Sequence, residues 1–360
     1  SHPLDKLIDA YFKENSLDWP KVVDDRTFIR RAYLDIIGLL PEPEAIALFK
    51  KDTNSKKREY LIDTLLSDEH NYTQHWLSFW NDLLRNDYSG TGFITGGRKQ
   101  ITDWLYKSLQ NNKPYDQMVK ELVDPIAGSE GFIKGIQWRG LVNSSQRTEM
   151  QAAQNIGQSL MGVNVKCASC HNSFVSNLTL EQSYGFASIF ADSVLELNRC
   201  DKPLGKMAKV NFLYPELGSV EGETVQERLF NLSKVMVKRE NGRLYRTITN
   251  RFWYRLMGRG IIVPLDEMDN TPWNANLLDW LASDFIDSEH DLKHLVKRIM
   301  TSKTYQLSTA SYKKQEGVSS DYVFEGPILR RLSAEQFSDA VSQVISPMFA
   351  AVQYTLNGEE

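Results

Sequence analysis

The sequence predicts a mainly α protein built as two helical domains joined by an irregular segment. Three observations predict it. Apolar residues recur at i, i+3, i+4 and i+7 over most of the chain. Strand-like alternation is scarce, and residues 260–264 (GIIVP) are its best short candidate. Gly and Pro gather in a few stretches instead of spreading through the periodic ones.

The elements follow in order. Leu4, Leu7, Ile8 and Tyr11 mark a first helical face, and Phe28, Ala32, Tyr33 and Ile36 a second. Pro43 stands where a first helical turn accepts it, ahead of Ile46 and Phe49. Ser55 is placed to cap a helix carrying Tyr60, Leu61, Leu65 and Leu66. An aromatic-rich helix spans His75 to Leu84, another runs from Ile101 to Leu109, and Pro114 opens a short one with Met118 and Leu122. Further helices are expected over 149–161 and 180–190. Residues 89–97 (SGTGFITGG) read as a loop, and 124–147 as irregular. The expected division is a first domain at 1–197, an irregular connector at 198–224 and a second helical domain at 225–360. The second domain shows helical periodicity over 225–237, 245–257, 276–285, 292–300 and 334–345. The last of these opens with Ser333 and Gln336 at capping-box spacing.

The composition is that of a folded domain: 41% hydrophobic and 24% charged, with a net charge of -4. That balance speaks against a nucleic-acid binder, which shows a basic face. The Lys and Arg residues between Lys234 and Arg259 are interleaved with apolar ones, the pattern of a solvated helix face. No run approaches the ~18 apolar residues of a membrane span. No basic-then-apolar leader opens the chain. Either the protein is cytosolic or a targeting segment has been removed, and the cysteines decide between these.

Residues 167–171 read Cys-Ala-Ser-Cys-His, the spacing of covalent c-type haem attachment. Two thiols form thioethers with the two haem vinyl groups, and two intervening residues let one turn present both sulfurs to one porphyrin edge. The adjacent His171 then offers its imidazole to the iron as the proximal ligand. Competing readings exist. A redox Cys-x-x-Cys wants a βαβ setting, and these surroundings are helical. Half a zinc site needs two more ligands, with only Cys200 and a histidine left, and Cys170 and His171 are too close in sequence to share one tetrahedral ion easily. An inert buried pair is the third. The expectation is one covalent haem c, and therefore a periplasmic, cell-surface or extracellular bacterial protein whose signal segment has been removed. Cys200 reads as a small buried apolar residue or as a thiol for another chain.

The distal iron ligand is open between candidates. His75 sits among Trp76, Phe79, Trp80 and Leu83, an aromatic wall suited to a haem edge and equally to an ordinary core helix. Met207 lies 36 residues after His171, in the irregular segment, where small cytochromes carry a loop-borne methionine. Met150 and Met161 have the spacing of core residues. His70 is expected in a loop, and His290 and His294 on a charged helix. Two strong ligands would make the iron an electron carrier. An open face would allow peroxide chemistry, with an unbound His75 as distal base.

In its context the motif resembles the planctomycete-type cytochrome c proteins, large exported bacterial proteins with a haem-motif domain followed by a partner domain. The resemblance rests on residues 25–43 (DRTFIRRAYLDIIGLLPEP), 74–77 (QHWL), Asp103-Trp104, 112–117 (NKPYDQ) and the stretch 167–190 ending YGFASIF. For the partner domain it rests on 250–253 (NRFW), 258–260 (GRG), 278–281 (LDWL), 292–295 (LKHL), 301–305 (TSKTY) and 330–335 (RRLSAE). His75 falls on one of these blocks, so the resemblance implies a place for it in the haem pocket. The chain departs from the family at 172–175, which reads NSFV where a His-Pro-Phe stretch is usual. The family's partner domain usually runs further, which implies a truncated or short one here. The resemblance supplies no reaction. The expected function is extracytoplasmic electron transfer with an unknown redox partner. The alternatives are a haem oxidoreductase or peroxidase acting on an extracellular carbohydrate, and a non-catalytic binding or scaffold protein. The carboxylate pairs Asp24-Asp25 and Asp266-Glu267 read as caps and surface charges.

Overall fold

The computed structural model describes residues 2–86, 94–95, 100–138, 140, 142–310 and 322–345. Helix dominates them. The first nine helices are α1 (Pro3–Glu14), α2 (Asp25–Ile36), α3 (Pro43–Lys51), α4 (Lys57–Leu66), α5 (Glu69–Leu83), α6 (Thr102–Gln110), α7 (Tyr115–Val123), α8 (Thr148–Met161) and α9 (Leu180–Ala187). Five more follow: α10 (Val225–Met236), α11 (Gly242–Met257), α12 (Ala275–Asp287), α13 (Leu292–Met300) and α14 (Ala334–Val344). Two small antiparallel hairpins complete the fold, β1 (Ile94–Thr95) with β2 (Gln137–Trp138) and β3 (Glu196–Arg199) with β4 (Lys202–Met207). No helix among the described residues is long and apolar enough to cross a membrane.

The caps explain why the helices start where they do. Asp24, Asp68, Asn241, Asn274 and Asp291 each accept from a backbone N–H in the first turn of the helix that follows. Thr179, Thr224 and Ser333 form reciprocal capping boxes with Gln182, Glu227 and Gln336. Ser55 does not cap α4. Lys56 holds the N-cap position without a side-chain bond, and Lys57 opens the helix.

One buried cluster runs from Leu4 to Phe324. Aromatic contacts tie distant segments together within it. Trp76 of α5 stacks on Phe252 of α11 with centroids 4.8 Å apart, and Trp273 lies parallel to Phe324 at 4.8 Å. Polar bonds do the same, since Arg31 of α2 donates to the carbonyls of Tyr305 (2.6 Å) and Leu307 (3.0 Å).

Several expectations change. Residues 261–264 form bends, not a strand. The Asn250 side chain accepts from the N–H groups of Ile261 and Ile262 and donates to the Ile262 carbonyl, which satisfies that backbone without a sheet. The connector is not irregular throughout, because residues 196–207 form the β3–β4 hairpin. His70 lies on α5 and not in a loop, and His290 occupies the turn between α12 and α13 at φ 61°. The loop expected at 89–97 lies outside the described residues except for Ile94 and Thr95.

Candidate functional site

The motif is held by the end of α8 and the start of α9. Helix α8 stops at Gly162, whose φ of 57° is the left-handed C-cap conformation, and a Cβ there would collide with Met268. The chain turns back through the buried residues Val163 and Val165. A single 3-10 turn, Cys167–Ser169, then carries the cysteines. The N–H groups of Cys170 and His171 both donate to the Cys167 carbonyl, at 3.2 and 3.3 Å. The turn is rooted by its middle residues: Ala168 and Ser169 are fully buried, and the Ser169 hydroxyl donates to the Lys166 carbonyl at 2.6 Å. Cys167 and Cys170 are half-buried and both thiols are free. One turn therefore carries both sulfurs, as the spacing requires.

His171 is oriented by its own loop. Its Nδ1 lies 2.7 Å from the Asn172 carbonyl oxygen. A carbonyl only accepts, so this bond fixes the proton on Nδ1 and leaves the lone pair on Nε2. That is the tautomer in which a histidine ligates a metal. The Asn172 side chain in turn accepts from the Leu180 N–H at 3.0 Å, which ties the loop to α9. Phe174 lies against the imidazole with centroids 4.6 Å apart. Phe174 is 89% and Val175 70% exposed, a bare apolar surface beside the motif. Their loop is nonetheless ordered by bonds from Val175 N and Ser176 N to the Ser173 hydroxyl.

Cys200 joins this site through a contact between segments thirty residues apart. It sits at the tip of the β3–β4 hairpin with φ 56°, and its N–H donates to the Cys170 carbonyl at 3.1 Å. Ser144 donates to the Cys200 carbonyl. Cys200 is exposed, so the reading of a buried apolar residue is corrected.

The two distal candidates stand elsewhere. Met207 ends β4 opposite Glu196, 55% exposed. The hairpin tip meets the motif, and five strand steps separate Met207 from Lys202, roughly 17 Å of chain. His75 packs at the junction of α2, α5 and α11. Gly38, at φ 74°, makes room for its ring, since a Cβ there would lie 2.5 Å from Nδ1. The imidazole bonds the Asp35 backbone and feels Arg255 and Arg330. The contacts described for this ring lie within that junction, and Trp76, Phe79 and Trp80 around it pack on Phe252. Met150 and Met161 are core residues of α8. Asp24 caps α2, Asp25 pairs with Lys57 and Arg58, and Asp266 pairs with Arg251.

Burial first, and then Arg255, push the His75 pKa from 6.5 down to about 3. The folded chain keeps the ring neutral while the unfolded chain takes up a proton below about 6.5. The stability from the neutral ring is thus complete above pH 6.5 and is lost as pH falls toward about 3. His2 and His290 are lowered by burial as well, so the informative comparison is between chains. His75→Gln is expected to flatten the fall in thermal midpoint between pH 6.5 and 5 relative to the parent. Parallel curves would show that His75 does not contribute.

Comparison with known families gives two matches. Residues 3–194 match PSCyt2, described as a protein of unknown function (DUF1549). Residues 228–349 match PSD1, also described as a protein of unknown function (DUF1553). No curated protein and no solved structure matches the chain.

Proposed function

This chain belongs to the PSCyt2 family, and from that premise we propose that it is an extracytoplasmic protein that carries one covalent haem c and transfers electrons. The observation that carries the reading is the 167–171 turn. It sets two free, half-buried thiols on one turn, followed at once by a histidine whose Nδ1 is already committed to a carbonyl. The family's name points the same way, toward cytochrome c, and the PSD1 match supports the domain pairing.

In this reading Cys167 and Cys170 hold the cofactor by thioether bonds and His171 offers Nε2 to the iron. Bound there, haem c supplies a one-electron couple whose potential is set by its axial ligands and surroundings. The hydrogen bond from His171 Nδ1–H to the Asn172 carbonyl fixes the tautomer and orientation of the ring. Phe174 and Val175 give the apolar surface that keeps water from a porphyrin edge. The chain's buried root at Ala168 and Ser169 keeps the turn in place without help from the thiols.

The test is expression of the full chain behind an export signal in a strain with haem-maturation machinery. A c-type pyridine haemochrome spectrum and a haem-stained band on a denaturing gel are expected. Apoprotein from matured, exported material would overturn the reading and leave a binding or scaffold role. The resting spectrum then separates the electron carrier, low-spin and indifferent to cyanide, from a haem oxidoreductase or peroxidase acting on carbohydrate, high-spin and reactive with peroxide.

A further inference from the structure

Two sequence blocks that supply no residue to the 167–171 turn, 25–43 and 330–335, meet in the fold. Between them and the end of α11 lies a cleft of about 870 Å³, lined among others by Asp35, Tyr254, Arg255, Arg330 and Arg331. A second cleft shares Asp35 and the 328–332 segment and adds Arg30 and Arg31. Five arginines and one carboxylate thus line the two clefts, with Glu335 near enough to act on Arg255, in a chain whose net charge is -4.

The partners of these groups show which charges are spent. Asp35 is buried, accepts twice from Arg330 at 2.8 Å, and accepts from the Tyr305 hydroxyl at 2.7 Å. Its oxygens are taken up by Arg330 and Tyr305. Arg31 is bound by carbonyls. The Arg255 guanidinium lines the cleft, partly buried, and makes no hydrogen bond among the described residues. Burial, and Arg330 more weakly, lower its pKa, which Asp35 partly offsets. A guanidinium withdrawn from water without a partner is costly, and an anion in the cleft removes that cost. Arg331 is exposed on the same wall.

We infer that this cleft is a binding site for an organic oxyanion, a carboxylated, sulfated or phosphorylated molecule of about sugar size, with Arg255 as its principal ligand. The volume lies in the range of small-molecule sites and is far more than an inorganic ion fills. The chemistry follows from guanidinium, whose fork of donors matches an oxyanion. Leu34, Ile328 and the half-exposed Tyr254 supply apolar surface for the rest of the ligand. The site does not involve residues 167–171, and its test does not depend on haem.

Calorimetric titration of the full chain at low salt with glucuronate, glucose 6-sulfate and glucose 6-phosphate, with glucose as the neutral control, tests this. At least one of the three anions is expected to bind and glucose is not, and the arm that binds identifies the oxyanion. Arg255→Gln is expected to weaken that binding by about tenfold or more, as the loss of a charged hydrogen bond implies. Arg331→Gln, an exposed position, is expected to weaken it a few-fold. Because Arg255 makes no hydrogen bond among the described residues, its replacement is expected to leave the thermal midpoint unchanged or higher. Binding by none of the anions, or binding that survives both substitutions unchanged, would overturn the inference.

Discussion

Replacing Cys167 and Cys170 together with serine is expected to yield a folded, exported chain with essentially no covalent haem. The fold survives because the turn is not held by its thiols. It is held by the buried Ala168 and Ser169, by the bonds of Cys170 N and His171 N to the Cys167 carbonyl, and by Gln154, which reaches Ser169 Oγ from α8. Serine keeps that backbone and removes the two motif thiols that form the thioethers in this reading. Each single serine variant is expected to keep one thioether and stain weakly. His171→Gln leaves both thiols but takes away the imidazole, so the haem that attaches is expected to lose the proximal nitrogen and shift in spectrum. Cys200→Ser is the discriminating control. Cys200 meets the motif through its backbone N–H, which serine retains, so haem attachment is expected to match the parent. If Cys200 were instead a metal ligand with Cys167 and Cys170, its loss would cost as much as theirs. Haem staining of a denaturing gel, with circular dichroism to check the fold, reads all five chains. Undiminished staining of the double variant would sink the proposed attachment.

What could be read in the sequence was local, and what could not was long-range. Helix α13 is legible because Leu292, Leu295, Val296 and Ile299 fall on one face within three turns, and all are buried. The capping box at Ser333 is legible for the same reason, as both partners lie within four residues. The β3–β4 hairpin was hidden because every residue of β4 is exposed, so it shows none of the apolar alternation that marks a half-buried strand. Missing the hairpin also hid Cys200, whose contact with Cys170 spans thirty residues. The 260–264 segment looked like a strand because it is apolar and β-branched, and the side chain that satisfies it, Asn250, lies on another element. The Cys167–His171 motif was legible because its chemistry demands a fixed spacing within one turn. The arginine cleft was not, because Asp35, Arg255 and Arg330 come from three distant segments and each reads in isolation as an ordinary charge on a helix or loop.

Asp35→Ala is expected to lower the free energy of unfolding by about 3–5 kcal/mol, the cost of breaking a buried ion pair from one side. Asp35 is 7% exposed, while Arg330 keeps 32% of its side chain in contact with solvent. The substitution therefore strands Tyr305, fully buried, without an acceptor for its hydroxyl, and removes the carboxylate that acts on Arg330, Arg31 and Arg255 alike. The bond also joins α2 to the segment ahead of α14, some 295 residues later, so its loss loosens the two ends of the described chain at once. Urea unfolding should show a lower midpoint with an unchanged slope. The double variant Asp35→Ala with Arg330→Met is expected to recover part of the loss, because removing both partners of such a pair costs far less than removing one. A loss below about 1 kcal/mol in the single variant would place the pair among exposed salt bridges and remove it as an anchor of the fold. A double variant no better than the single would show that the deficit comes from Tyr305 and not from the stranded guanidinium.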